Sequence, residues 1–497
     1  MVTRWGPLLF GATCWVASAG GEAPPSPGVA RVELTCVDDA ATGYGTFQSH
    51  NQKVVSNPHG IFMTHIRTRN EAYTAQQWRL LRSVDGGKRF LVVYEATNAT
   101  NPPVLETDEA GTVYLARPDF ADGHAYLYRF AAKDAYAKPQ ITKIPGASAG
   151  KYCMMLDRVR NQLYFFAHNN TFHVVSLDGK VRSSRHLLRH GRHAVLQYPL
   201  LSLTRDDVLH AAWTTQKHGQ YLYWDIHHLV SRDGGQSWST MAGKPTTLPV
   251  VADDGGPAQR ITLDDEFEVH TWLSSLMAKD GKVHFLYMAQ TKPTAREHYV
   301  RYDAETGRQD VRIWPEFRGK TMSLMGLSGA FAARASLDGG SLYCVSNASG
   351  RIACLASDDN GRTWYDYAVS DKTYRPYSIG GCRELTADGY LIGSFTNQSA
   401  SPAEVSGKCS VYFFRIQAGL SRAEATTVQT PGGGVTVKFA DVRGQPAKVR
   451  FQGKGNRWRD WVPFRGHIKV DERPRAFQLT SRLGVVSAVY EIKDGGR

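Results

Sequence analysis

Histidine, lysine, tyrosine and amide side chains recur along this chain at matched distances from a series of turns. Ten residues before Gly60, Gly111, Asn161, Asp207 and Gly281 stand His50, Asn101, Lys151, Gln197 and Thr271, the last with His270 beside it. The same register before Gly339 and Gly389 holds Gly329 and Ile379, which bring no polar side chain. Histidine titrates near neutrality and serves as a general base, acid or nucleophile. His50, followed by Asn51-Gln52-Lys53, is the first candidate for that work and His270 the second. Lys151, Arg334 and Arg383 have the chemistry to neutralise a carboxylate, the arginines through a bidentate fork. Tyr198 has a hydroxyl to donate and a ring to stack on a sugar. The expected catalytic residues are therefore His50, His270 and Tyr198, and the expected substrate-binding residues are Asn51, Asn101, Lys151, Gln197, Arg334 and Arg383.

These side chains share a location only if the segments that carry them repeat. Each turn joins a short strand to a second strand rich in aromatic and β-branched residues, and further strands follow, such as those at 78–83, 126–130 and 411–416. Seven such units are present, and their turn centres run from Gly60 to Gly389, 329 residues over six intervals, or about 55 per unit. Sheets of four strands repeated at such a period are the blades of a β-propeller. The expected fold is all-β, a seven-bladed β-propeller with a small C-terminal β-sandwich-like appendage. In a propeller the innermost strands converge on the axis, so the residues that enter them line a funnel. The segment Arg31 to Val37 precedes the first unit and is expected to supply an outer strand to the last blade.

A second repeat overlies the first. Ser83-x-Asp85-x-Gly87-x-x-Phe90, Ser231-x-Asp233-x-Gly235-x-x-Trp238 and Ser357-x-Asp359-x-Gly361-x-x-Trp364 follow one pattern. Aspartate accepts local backbone N–H groups and glycine adopts positive φ, which suits a tight hairpin. The pattern matches the Asp-box, and with the His50-Asn51 strand the chain resembles the BNR-repeat, sialidase-like propellers over roughly residues 30–419. Within them it looks most like the group of α-L-rhamnosidases and L-rhamnose-α-1,4-D-glucuronate lyases, with ulvan lyases close behind. The resemblance implies an enzyme cleaving a uronate-containing glycan by histidine-centred acid/base chemistry, with His50 matching that group's active-site histidine. It also implies that Asp85, Asp233 and Asp359 are structural. An exo-sialidase-like hydrolase and a non-catalytic glycan-binding propeller are the alternatives; the arginine triad of true sialidases and its R-I-P opening are missing.

Composition narrows the remaining classes. The chain has 497 residues, 42% hydrophobic and 21% charged, with Lys plus Arg (59) exceeding Asp plus Glu (46) by 13. Fifteen cations against seven acids fall in residues 421–497, so +8 of the +13 sits there. Arg4, an apolar run and Ala17-Ser18-Ala19 read as a signal peptide over residues 1–19, giving a secreted or periplasmic protein, with a lipoprotein at Cys14 the lesser reading. Residues 20–29 read as a disordered mature start, 30–419 as the propeller and 420–497 as a basic β-rich domain. Removal of the leader leaves Cys36, Cys153, Cys344, Cys354, Cys382 and Cys409, of which Cys344 and Cys354 are placed to face each other across a hairpin. Their spacing fits no zinc motif. The acidic run Asp264 to Glu268 has the oxygen chemistry for calcium, but no metal or other cofactor is otherwise implied. No Walker loop, G-x-S-x-G, H-E-x-x-H or nucleic-acid module is present, nor a further apolar run of membrane-spanning length. The expected partner is an anionic poly- or oligosaccharide, acted on by a monomer without nucleic acid.

Overall fold

The computed structural model describes residues 30–494 apart from 49–50, 71–74, 98, 100, 120, 148–149, 168–169, 192–193, 218–222, 252–257, 263–270, 290–295, 323–327, 335–339, 399–408, 432 and 483. The expected leader therefore lies outside the described residues. Regular structure among them is strand, apart from the 3-10 turns Ala132–Asp134 and Lys454–Asn456. None of the described helices is long and apolar enough to cross a membrane.

Seven four-stranded antiparallel units follow one another along the chain. Their innermost strands are Val54–Asn57, Val104–Thr107, Tyr152–Asp157, Ala194–Leu203, Thr271–Lys279, Ala330–Ala333 and Pro376–Gly381, and we number the blades 1 to 7 in that order. Neighbouring innermost strands lie against one another from blade 1 through blade 7, and the innermost strand of blade 1 lies against Tyr390–Asn397, the second strand of blade 7, which closes the ring. This is a seven-bladed propeller.

Blade 3 shows why the chain folds this way. Its inner three strands, Tyr152–Asp157, Gln162–Ala167 and Thr171–Ser176, are buried at every position, whereas the outermost, Val181–His186, alternates half-buried with exposed. A blade packs both faces against neighbours, so its inner strands read as unbroken apolar runs. Alternate residues serve opposite interfaces: Met154 joins the core shared with blade 2, while Cys153 and Met155 join the core shared with blade 4. Seven such cores occupy the seven interfaces.

The same parity corrects the expected cysteine pairing. Cys344 stands opposite Leu355, and Cys354 opposite Val345, so their side chains leave opposite faces of the sheet. Cys344 packs between blades 5 and 6 and Cys354 between blades 6 and 7, and both are free thiols, as are Cys36, Cys153, Cys382 and Cys409.

Ring closure uses the N-terminal strand. Glu33–Ala41 pairs antiparallel with Cys409–Gln417 as the outermost strand of blade 7, with Leu34 opposite Phe414, and Ala30–Arg31 adds to the edge of blade 6. Buried Asp38 carries the closure into blade 1. Its Oδ2 lies 2.9 Å from Nε2 of His65, 3.1 Å from Nε of Arg67 and 3.6 Å from Arg79. Burial alone would push the Asp38 carboxyl up, but the hydrogen bond and charge of His65, the Ala40 N–H and Arg67 together hold it down at about 2.

The three S-x-D-x-G turns have one geometry. In each, the serine hydroxyl donates to the aspartate, at 2.9, 2.8 and 2.8 Å, and accepts from the glycine N–H at 2.8, 2.8 and 2.7 Å. The glycines also receive an aromatic ring from the preceding blade. A Cβ on Gly87 would run into the Phe413 ring, and one on Gly235 would meet the Phe172 ring at 2.5 Å, while Gly361 lies under the Tyr299 hydroxyl. The same three rings touch Phe90, Trp238 and Trp364, the aromatics that end each motif, at centroid distances of 5.1, 5.4 and 5.1 Å. Each motif is thus a clasp on its neighbour.

Residues 422–494 build two further four-stranded sheets that enclose Val437, Val449, Phe451, Phe477 and Leu479. This appendage docks on blade 6. The Gly444 N–H donates to Asp358 at 2.8 Å, and the Tyr365 ring lies between Arg422 and Arg443 at 5.4 and 5.5 Å.

Two outcomes are expected. Gly235→Ala combines a φ of 88° with the Phe172 contact and should destabilise the protein by roughly 3 kcal/mol in denaturant unfolding. The Asp38 carboxyl, depressed on folding, contributes stability above its unfolded value of 3.8 that is lost as pH falls toward about 2. Asp38→Asn should flatten acid unfolding across that window, and a midpoint that retains the wild-type pH slope would contradict the assignment.

Candidate functional site

The entry ends of the first four innermost strands gather at one end of the axis. The carbonyl of Gly150, before blade 3, accepts the side-chain amides of Gln48 (2.7 Å), before blade 1, and Asn101, before blade 2. Lys151 follows directly, and its Nζ stands 4.8 Å from the centroid of the Tyr198 ring of blade 4. Asn51 donates from Nδ2 to the Gln48 side chain at 3.1 Å, and Lys53 donates to the carbonyls of Gln48 and Asn51 at 2.5 and 3.0 Å.

The segment from Thr46 to Lys53 straps these blades together. Thr46 reaches into blade 7, donating from its N–H to the Thr396 hydroxyl at 2.9 Å and from its own hydroxyl to the Ser378 carbonyl at 3.4 Å. The Phe47 ring stacks on Tyr377 at 6.0 Å and packs on the core of blades 4 and 5. Gln48, Asn51, Gln52 and Lys53 are all buried.

Backbone irregularity re-aims side chains at this end. The innermost strand of blade 4 shifts register between Gln197 and Leu200, with Tyr198 at φ 51°, and that of blade 7 shifts between Tyr377 and Gly380, with Ser378 at φ 52°. Positive φ in a residue with a side chain is costly and persists where the surroundings enforce it. The result places the Tyr198 ring, 4% exposed, beneath the Lys151 amine.

Electrostatics set what these groups can do. Burial pushes the Lys151 amine down to about 8, so near neutrality it is a cation able to give up its proton. Burial takes Lys53 well below its ordinary value. In blade 4, burial pushes the Asp225 carboxyl up to about 7 against the pull of Arg260. The Thr262 hydroxyl donates to Asp225, and His227 Nε2 lies 3.5 Å from it.

The expected residues divide accordingly. Asn51, Asn101, Lys151 and Tyr198 are brought together. His50, His270 and the acidic run Asp264 to Glu268 lie outside the described residues, as does the side chain of Gln197. Arg383 lies deeper along the axis: its Nη1 meets Glu106 of blade 2 at 2.5 Å, its Nη2 donates to the Met154 carbonyl of blade 3 at 3.0 Å, and its backbone N–H donates to Gln52 at 2.9 Å. Arg158 and Glu384, paired at 3.0 Å, cross the same end of the ring. Exposed Arg334 follows the strand Ala330–Ala333, beside the bridge of Ala333 to Glu384, so it stands at the turn end, opposite Lys151. Two residues of the cluster, Gln48 and Lys53, fall outside the ten-residue register; the signal for them was their adjacency to His50.

No family model matches the sequence, and no curated protein matches it. Among solved structures the chain is similar to a polysaccharide lyase, an ulvan lyase bound to -[GlcA(1-4)Rha3S]-, with 11% identity, 78% of this chain and 96% of that chain covered, and a TM-score of 0.54. The same lyase without that ligand gives 11% identity over 78% and 96% of the two chains and a TM-score of 0.53. An α-L-arabinanase of Penicillium chrysogenum gives 11% identity, 78% and 98% coverage and a TM-score of 0.41. The likeness to the first two is one of fold, a β-propeller.

The position of Lys151 has a measurable consequence. Its amine should titrate near pH 8 rather than 10.5, followed by NMR of the labelled lysine side chain against Lys151→Arg. A carboxylated ligand held by this amine should lose affinity as pH rises through about 8, and Lys151→Arg should keep it into alkaline solution.

Proposed function

We propose that this protein is a secreted carbohydrate-active enzyme that cleaves a uronate-containing glycan at a rhamnose–glucuronate linkage, by β-elimination. The observation that carries this reading is the Lys151 amine over the Tyr198 ring at the bulged entry of blade 4, 4.8 Å from its centroid. The fold shared with a propeller solved with a glucuronate–rhamnose sulfate chain bound supports it.

Elimination from a uronate needs three services. A cation must neutralise the carboxylate and acidify the C5 proton; Lys151 takes this part, with the Asn101 and Gln197 amides binding hydroxyls and buried Asn51 holding Gln48 behind them. A base must remove that proton, the work assigned to His50 beside Asn51, with His270 as a further proton carrier. As the C4–O bond breaks and C4=C5 forms, the leaving oxygen takes a proton from the Tyr198 hydroxyl. Arg383 holds the axis beneath through Glu106, and Arg334 meets only what reaches the turn end.

The test is incubation with a glucuronate–rhamnose polymer. Rising ultraviolet absorbance from unsaturated uronate ends is expected, and His50→Ala should lower the rate by about 100-fold or more. Reducing ends released without that absorbance would make the enzyme a hydrolase, and His50→Ala at full rate would remove His50 from the mechanism.

A further inference from the structure

The C-terminal sandwich presents a face unlike the rest of the surface. On its second sheet the strand Pro446–Gln452 turns Val449 and Phe451 inward and Lys448, Arg450 and Gln452 outward. The guanidinium of Arg450 is held between two indole rings, 4.8 Å from the centroid of Trp458 and 4.7 Å from that of Trp461. Gln478 of the neighbouring strand fixes it, accepting from Nε at 3.1 Å and from Nη2 at 2.7 Å. Both tryptophans are half-buried, so each retains ring surface toward solvent beside the guanidinium.

The surrounding charge is one-sided. Residues 448–482 contain ten Lys and Arg against three Asp and Glu. Arg459 is engaged with Glu472 at 2.7 Å, while Lys448, Arg457, Arg465, Lys469 and Arg473 are exposed. Cations beside partly exposed aromatic faces suit a ligand that alternates apolar ring surface with fixed negative charge.

We propose that this face is a second binding site, for a carboxylated or sulfated polysaccharide. Trp458 and Trp461 take the apolar faces of pyranose rings, and Arg450, Lys448 and Arg457 pair with the anionic groups. The appendage docks where blade 6 presents Asp358, in the turn end of its clasp, so the site lies away from the funnel entry and anchors the protein on polymer rather than extending the cleft. Because it is docked on the ring, binding there raises the local concentration of further polymer segments at the funnel. The proposal shares with the functional reading an anionic glycan as ligand, but its binding is measurable without turnover.

The experiment is affinity electrophoresis of the full chain in gels containing polygalacturonate, dextran sulfate, neutral dextran or duplex DNA. Retardation by one or both anionic glycans and none by neutral dextran is expected, and the arm that responds tells carboxylate from sulfate. Trp458→Ala with Trp461→Ala should weaken retardation at least tenfold, as should Lys448→Gln with Arg457→Gln, whose exposed positions leave the fold intact. Both variants should cleave short oligosaccharides at the wild-type rate. Unchanged retardation in the charge variant, or DNA bound as tightly as the glycans, would overturn the proposal. Loss of cleavage in wild type with retardation intact would sink the functional reading and leave this site standing.

Discussion

A blade of this ring cannot be stable alone, because both faces of its sheet are apolar. The continuous burial of the inner strands of blade 3, and the way Cys153 and Met154 turn to different neighbours, show the constraint at single-residue resolution. Every blade completes two cores and depends on two partners, so the energetics close only when the ring does. The clasps at Gly87, Gly235 and Gly361 tie blades 1, 4 and 6 to the blades before them, with an aromatic ring filling the place of the missing side chain. Ring closure at Asp38 and His65 is the same requirement met across the chain's ends.

The funnel entry inherits its order from that packing. No single blade supplies the cluster: the Gly150 carbonyl of blade 3 is shared by amides that precede blades 1 and 2, and Lys151 rests on a tyrosine of blade 4. Tyr198 and Ser378 are held at positive φ where the inner strands slip register. Such strain is sustained by the rigid sheets beneath, which is also why the amines of half-buried Lys151 and buried Lys53 stay in place despite their desolvation.

Much of the fold was legible in the sequence because its signals are local. Turn spacing and the three S-x-D-x-G motifs are set by short-range hydrogen bonding, and they imply the blade repeat directly. The site was less legible, because a fixed offset from each turn samples one position per blade. It samples Asn101 and Lys151, which the structure brings together, and passes over Gln48. In blade 4 the bulge makes Tyr198 the residue that faces Lys151. Arg334 fell on the wrong end because the inner strand of blade 6 spans only Ala330–Ala333, so a few residues carry the chain from one end of the axis to the other. The cysteine expectation failed on parity: a one-residue offset between Cys344 and Cys354 sends the thiols to different interfaces.

The closing strand also sets a schedule for biosynthesis. Glu33–Ala41 is among the first parts of the propeller to be made, and its partner Cys409–Gln417 is the last of its strands. Until that partner is complete, the early strand has an unpaired edge and the face of blade 1 that belongs against blade 7 stays uncovered. The ring therefore cannot mature blade by blade as it emerges; its final state waits for nearly the whole chain, and a nascent protein halted short of Cys409 carries an open, adhesive edge.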